Sequence, residues 1–431
     1  MTAHALLGAS SAHCWGTCAA APRAQKGLVD RGSRDADEGS AVHELGAWAL
    51  QTGKHPSEYP ETHIQIGDTA WRVTKEMVDN ISKYVDRVRK KAEGGTLLVE
   101  QRVTYGPAIF GPAPMTFPTV AEDGSDTTIT VRPEDVGFGT SDAIYLLTDV
   151  IGAEDYKNGA NPNNIVDAED NEQLLLYLTG GLYEYEMVGD FKRGAMGITQ
   201  PRLGHYPDAE ISIEDLKAFG AKIGAAGKRA LELYYRREEP EMSDYTPGSA
   251  CKWCKAKATC PALYQEVETE TRDLFAALVE NGASAMAAAV PEDRLAQAME
   301  KVSLIEDFCK AIRSETERRL LAGHPVPGFK LVEGRKGARK WTSDEEAEAA
   351  LKSMRLKSDE MYDYSVKSPT SIEKVLKDNP RRWTKLQELI SRSDGKPSVA
   401  PESDKRPALA ITSVTDAFAA LAQSSVDPDP N

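Results

Sequence analysis

Apolar positions along the first half of the chain recur with two different periods. ADEGSAVHELGAWAL, residues 36–50, reads as a helix of mostly good helix formers after a Gly-Ser entry. In VTKEMVDNISKYVDRVRKKAE, Met77, Val78, Ile81, Tyr84, Val85 and Val88 share one helix face, and the Gly94-Gly95 pair ends the run. TLLVEQRVTY has strand character, GPAIFGPAPMTFP reads as a Pro/Gly-rich loop or insertion, and VGFGTSDAIYLLTDV and VIGAEDYKNG are two further strands. Gly152 and Glu154 interrupt the apolar run of VIGAEDYK, which should shorten or kink that strand. EDNEQLLLYLTGGLYEYEM returns to a helix, GITQPRLGHY to a strand, and ISIEDLKAFGAKIGAAGKRALELYYRREEP to a long helix ending near Pro240. Helix, strands, helix, strand, helix is the order of an α/β or α+β unit whose sheet is covered by helices.

The second half is more helical. From Asp293 to Leu321, Leu295, Met299, Val302, Ile305, Phe308 or Cys309, Ile312 and Leu320 fall near one face. Cys309 is most simply a buried apolar residue. PVPGFKLVEGRKGARKW has strand-like ends around glycine punctuation, as in a hairpin. Ser343 and Glu346 form a capping box for EEAEAALKSM, and SPTSIEKVLK and PRRWTKLQELISR are two short helices. From about Ser393 the chain turns polar and Pro-rich and is expected to be disordered, with VTDAFAALA as a last short amphipathic helix.

Composition narrows the class. A net charge of −15 argues against a protein that coats nucleic acid through its bulk field, yet permits a local basic groove. Lys228, Arg229, Arg236, Arg237, Lys252, Lys255 and Lys257 are candidates for such a groove, or are an ordinary solvated face. No apolar run approaches the ~20 residues of a membrane span. The start, MTAHALLGASSAHCWGTC, lacks the basic and apolar regions of a signal peptide, so a cytoplasmic location is expected. In that reducing setting close cysteine spacing suggests metal before disulfide.

Two constellations carry chemistry. Asp155 and Lys157 would share a strand face, with Tyr156 opposite, and Asp142 can arrive beside them if the two strands pair. Two carboxylates and a backbone carbonyl suit Mg²⁺ or Mn²⁺, and a lysine beside them suits phosphodiester hydrolysis. A chance surface Asp-x-Lys triplet is the bland alternative. Gln173 and Tyr177 fall at i and i+4 of one helix, and His43 sits in an apolar helical stretch where a packed core histidine is the ordinary reading. The second constellation, CKWCKAKATC at 251–260, offers three cysteines where a tetrahedral thiolate site wants four.

The ordered series His, Asp, Asp-x-Lys, Gln-x-x-x-Tyr resembles the RecB-like branch of the PD-(D/E)XK nuclease superfamily, and more closely a phage and prophage family within it. SSAHCWGTC, DEGSAVHEL, LLVEQRV, GFGTSDA, DYKNG, NEQLLLYLTGGL, CKWCKAKATC and PGFKLVEGRKGARKW carry the resemblance, over nearly all of residues 9–342. It implies a restriction-endonuclease-like mixed sheet flanked by helices, and a DNA exonuclease of phage recombination or replication using Mg²⁺ or Mn²⁺. By resemblance His43, Asp142, Asp155 and the Tyr156 carbonyl hold the metal, Lys157 is the catalytic lysine, and Gln173 and Tyr177 contact the DNA backbone or orient the site. Glu100 lies near the site by analogy, without a catalytic role. Members with a C-x2-C-x5-C run carry a [4Fe–4S] cluster whose fourth cysteine lies N-terminal to the nuclease motifs. The implied ligands are Cys18, Cys251, Cys254 and Cys260, with Cys14 as the reserve and zinc as the competing occupant. The expected organisation is a nuclease domain with this clasp over 1–268, a helical extension over 269–325, a small region over 326–392 and a tail over 393–431. DNA is the expected partner, held with little sequence preference, and the tail could dock a single-strand-binding or annealing protein. A catalytically inert DNA-binding or scaffold protein is the competing function.

Overall fold

The computed structural model describes residues 5–28, 34–59, 62–121, 123–280, 292–334, 340–362, 366–377, 379–391, 398–401 and 407–409. The chain divides into two compact units, Met1–Phe308 and Cys309–Asn431.

In the first unit the elements run α1 (Ala12–Thr17), α2 (Ala21–Ala24), α3 (Arg34–Thr52), β1 (His63–Ile66), β2 (Thr69–Arg72), α4 (Lys75–Lys91), β3 (Thr96–Thr104), α5 (Gly106–Phe110), β4 (Met115–Val120), β5 (Asp126–Val131), α6 (Pro133–Val136), β6 (Phe138–Leu146) and β7 (Val150–Tyr156). They continue with α7 (Glu172–Tyr185), β8 (Arg193–Thr199), β9 (Asp208–Ser212), α8 (Ile213–Tyr235), α9 (Pro261–Glu280) and α10 (Glu292–Leu321), whose last residues enter the second unit. The fold is α/β, with a mixed five-stranded sheet in the order β3-β6-β7-β8-β9 flanked by helices. Only β7 and β8 pair in parallel, and α7 is the crossover that a parallel pair requires.

Alternation along the central strands sorts the two faces. Ile144, Leu146, Ile151 and Ala153 pack with Leu174 and Leu178 of α7 and Leu216 and Leu231 of α8. Ala143 and Tyr156 face the other way, against Val42 and Leu45 of α3 and Ile81, Tyr84 and Val88 of α4. Thr74 caps α4 by accepting from Met77 N at 3.2 Å, and Arg89, Lys90 and Lys91 close its last turn where cations offset the helix dipole.

The interrupted strand is not interrupted. β7 is continuous and every one of its residues is buried. Gly152 lies opposite Tyr145 of β6, where an added Cβ would stand 1.9 Å from the ring, so the missing side chain makes room for the aromatic. Glu154 is fully buried, but Arg87 Nε reaches its Oε2 at 3.0 Å and Lys91 its Oε1. A paired charge thus takes the place of an apolar residue. GPAIFGPAPMTFP also differs from a loop: it contains α5 and starts β4, which pairs with β5 as a hairpin.

The second unit contains β10 (Phe329–Val332), β11 (Lys340–Trp341), α11 (Asp344–Ser353), α12 (Ser358–Met361), α13 (Pro369–Val375), α14 (Pro380–Leu386), β12 (Ile390–Ser391) and β13 (Ser398–Pro401). The expected hairpin does not close, because β10 pairs with β13 and β11 with β12. Ser398–Pro401, expected within a disordered tail, is therefore a strand. VTDAFAALA and most of GRKGARK lie outside the described residues. Cys309 is exposed, not buried; Ala311 takes the buried position on that stretch of α10. Among the described residues no helix is long and apolar enough to cross a membrane.

Candidate metal centre and thiol pocket

A file of three carboxylates crosses the sheet. Ala143 pairs with Glu154, so one step outward Asp142 of β6 stands opposite Asp155 of β7. On the other side Val99 pairs with Ala143 and Gln101 with Ser141, which sets Glu100 of β3 opposite Asp142. Glu100 has φ +50°, a left-handed backbone that a side chain other than glycine rarely adopts. Local strain of this kind concentrates at functional sites.

His43 arrives from α3, its Nδ1 3.2 Å from Asp142 Oδ2, and its ring meets that of Tyr156 edge-on at 5.4 Å. Ligand atoms of His43, Glu100 and Asp142 all lie within 4.8 Å of one another. Tyr156 N donates to Asp142 Oδ2 at 2.8 Å, which fixes that carboxylate. Asp155 Oδ1 accepts from Gln173 Nε2 at 3.0 Å, and Oδ2 lies 2.9 Å from Lys157 Nζ. That second oxygen is sealed from solvent and has no hydrogen bond of acceptable angle. Lys157 Nζ also donates to Gln173 Oε1 at 3.2 Å, and Gln173 Nε2 reaches Tyr177 OH at 3.4 Å. Asn171 caps α7 by accepting from Leu174 N, and Gly139 of β6 admits the Tyr177 ring, which an added Cβ would meet at 2.8 Å. The structure thus brings together His43, Asp142, Asp155, Tyr156, Lys157, Gln173 and Tyr177, and it sets Glu100, expected only near the site, among the candidate ligands.

Electrostatics suit a cation. Burial works against a charge on His43, but Asp142 outweighs it and raises the imidazole to about 9. Burial also opposes ionisation of Asp142, yet His43, the Tyr156 amide and Lys157 hold its carboxyl below the usual range. Asp155 is pushed up by burial, against Lys157, with Asp142 adding to the rise. Burial lifts Glu100 to about 7, helped by the Asp142 charge. Lys157 keeps its proton firmly, because Asp155 and Asp142 outweigh its burial.

Five cysteines line one pocket with Ala21, Tyr245, Pro247 and Lys257: Cys14, Cys18, Cys251, Cys254 and Cys260. Four of their sulfurs accept backbone N–H groups. Thr246 N reaches Cys18 Sγ at 3.5 Å and Gly248 N reaches Cys251 Sγ at 3.4 Å. The Ala256 amide serves Cys254, and those of Ala262 and Leu263, at the start of α9, serve Cys260. Cys14 behaves differently: its thiol donates to Ala250 O at 3.2 Å. Burial first and the neighbouring sulfurs second push Cys14 up to about 11, and burial against the Ala256 amide brings Cys254 to about 12. Crowded thiols that resist ionisation together are what a bound cation relieves.

The basic residues divide. Arg229 and Arg236 are held by the largely buried Asp244 at 2.7 and 2.8 Å, and Arg237 faces Asp126 at 3.6 Å. Those ion pairs fasten the end of α8. Sequence reading also missed a chain of contacts between the two sites. His13 Nδ1 lies 2.9 Å from Glu172 Oε1 and His13 Nε2 lies 3.3 Å from Ser249 Oγ. No sequence signal joins partners 159 and 236 residues apart.

Fold and site together define an α/β protein with an acidic, histidine-containing centre and a thiol pocket. Over residues 4–114 and 128–407 the chain matches the model of the family described as protein of unknown function (DUF2800), and it belongs to that family. A solved structure described as the crystal structure of SSO0001 is similar at 14% identity and a TM-score of 0.20, over 51% of this chain and 85% of that one.

Proposed function

We propose that this chain is a metal-dependent deoxyribonuclease of the RecB-like PD-(D/E)XK type, an exonuclease acting at DNA ends in phage recombination or replication. The observation that carries the reading is the Glu100–Asp142–Asp155 file with His43 at one end and Lys157 ion-paired at the other. The donor set is oxygen-rich with one imidazole, as hard divalent ions such as Mg²⁺ or Mn²⁺ accept. His43, Asp142 and Glu100 would hold the ion, with Asp155 and the Tyr156 carbonyl completing the set. When bound, it would act as a Lewis acid toward the phosphodiester and lower the pKa of a water.

The side chains do the rest. Lys157 stays protonated, so it serves as a fixed positive charge beside the phosphate and not as the base. Gln173 locks both Lys157 and Asp155 in place. A broken second strand would have favoured the inert scaffold, and β7 runs unbroken.

The thiol pocket is read as a [4Fe–4S] clasp on Cys18, Cys251, Cys254 and Cys260, the four sulfurs that accept N–H groups. Zinc on four thiolates is the competing occupant. The clasp ties the first helices to the segment after α8 and adds ligand-binding energy to folding.

The function is tested by digesting end-labelled linear DNA and covalently closed circular DNA with and without Mn²⁺. Loss of label from linear DNA alone is the expected outcome. Cleavage of the circle would make the protein an endonuclease, and intact DNA in both arms would reject the enzyme.

A further inference from the structure

Trp253 stands out among the large side chains of the first unit. It is 59% exposed, between two of the clustered cysteines, where burial would be the usual fate of an indole. Lys252 Nζ sits 5.0 Å from its ring centroid, and Lys257 Nζ donates to Lys252 O at 2.5 Å, so two ammonium groups lie at the turn that carries the indole.

Its position relative to the acidic centre is set by the His13 contacts. Trp253 ends the 3-10 turn Ser249–Trp253. Ser249, at the other end, contacts His13, and His13 contacts Glu172, the residue before Gln173. At ~2.0 Å per residue, the four steps from Ser249 to Trp253 advance about 8 Å. This run of contacts links the turn that carries the indole to Glu172 at the start of α7, next to Gln173, a gap that a few nucleotides at ~3.4 Å each would bridge.

We propose that Trp253 is a stacking platform for an unpaired base, so that the DNA at the acidic centre is single-stranded on the side of the thiol pocket. This rests on the nuclease reading and names its substrate class. An aromatic plane flanked by lysines suits single strands, because every base offers a face to stack and the lysines attract the phosphates without reading sequence. A paired base inside a duplex offers no such face.

Binding is measured in EDTA, so that its result does not depend on cleavage, with fluorescent oligothymidylate and a blunt duplex as probes. Trp253→Ala should weaken oligothymidylate binding by roughly 5- to 100-fold, the range of ~1–3 kcal/mol per stacked base. Duplex affinity should stay within about twofold, and Trp253→Phe should restore single-strand binding. Iron content is measured on each variant to separate loss of stacking from loss of the clasp. In the unmodified protein, an oligonucleotide carrying 5-iododeoxyuridine should photo-cross-link to the peptide containing Trp253. Unchanged single-strand affinity in Trp253→Ala, equal losses on duplex and single strand with iron retained, or a cross-link mapping elsewhere would each overturn the proposal. Intact DNA in the Mn²⁺ digest with these binding results unchanged would reject the nuclease and leave the stacking site standing.

Discussion

Glu100 and Asp142 face each other at the one step where the ladder between β3 and β6 carries no pair, and Glu100 holds a left-handed backbone there. Two carboxylates facing across a broken step repel unless a cation joins them. Glu100→Gln removes one charge and keeps the shape. It should lower Mn²⁺ affinity about tenfold, as loss of one charged oxygen ligand does, and leave the fold intact. Titration calorimetry and circular dichroism check the two halves; unaltered affinity would remove Glu100 from the centre.

Metal binding should be linked to proton release. His43 holds its proton up to about 9 in the metal-free protein and must give it up to bind an ion. Glu100, raised to about 7, adds a fraction of a proton near neutrality. Mn²⁺ affinity should therefore climb as pH rises toward about 9. Calorimetry near neutral pH in buffers of different ionisation heat should show net release of protons.

The same shift has the opposite sign for the metal-free protein. A histidine raised from 6.5 to about 9 stabilises the fold fully below 6.5, and that share is lost as pH rises through about 9. Thermal midpoints in EDTA should fall across that window in the unmodified chain. They should fall less in His43→Gln, where no such proton exists.

Lys157 and Asp155 are mutually dependent. Removing the ammonium leaves a sealed carboxylate oxygen without its counter-charge. Lys157→Met should reduce cleavage at least about a hundredfold, as loss of one electrostatic donor does. It should also raise the Asp155 proton affinity further. Activity near that of the unmodified enzyme would assign the catalytic charge elsewhere.

The thiol pocket separates two neighbouring cysteines by the direction of their hydrogen bonds. Cys18 accepts from Thr246 N, and Cys14 donates to Ala250 O. Cys18→Ser should abolish the broad absorbance near ~400 nm of a thiolate-held iron–sulfur centre. Cys14→Ser should retain it. Equal iron loss in both would withdraw the distinction, and zinc without iron or sulfide after anaerobic purification would replace the cluster.

The sequence by itself determined the helices with a strong 3.6-residue period. In α4 and α8 the apolar spacing and the N-cap residues Thr74 and Ser212 agree with the packing, so local and tertiary preferences coincide. It also set out the order His43, Asp142, Asp155, Lys157, Gln173, Tyr177 and the spacing of the three clustered cysteines. Tertiary structure decided what depends on partners distant in the chain. Gly152 and Glu154 look like faults in a strand until Tyr145, Arg87 and Lys91 are seen to fill the space and offset the charge. Resemblance put Glu100 near the site, but its standing against Asp142 comes from register between strands some forty residues apart, which follows from packing and not from local pattern. β10 and β13 pair across an even longer separation, where loop-closure cost grows only slowly with length and local turn signals have no say.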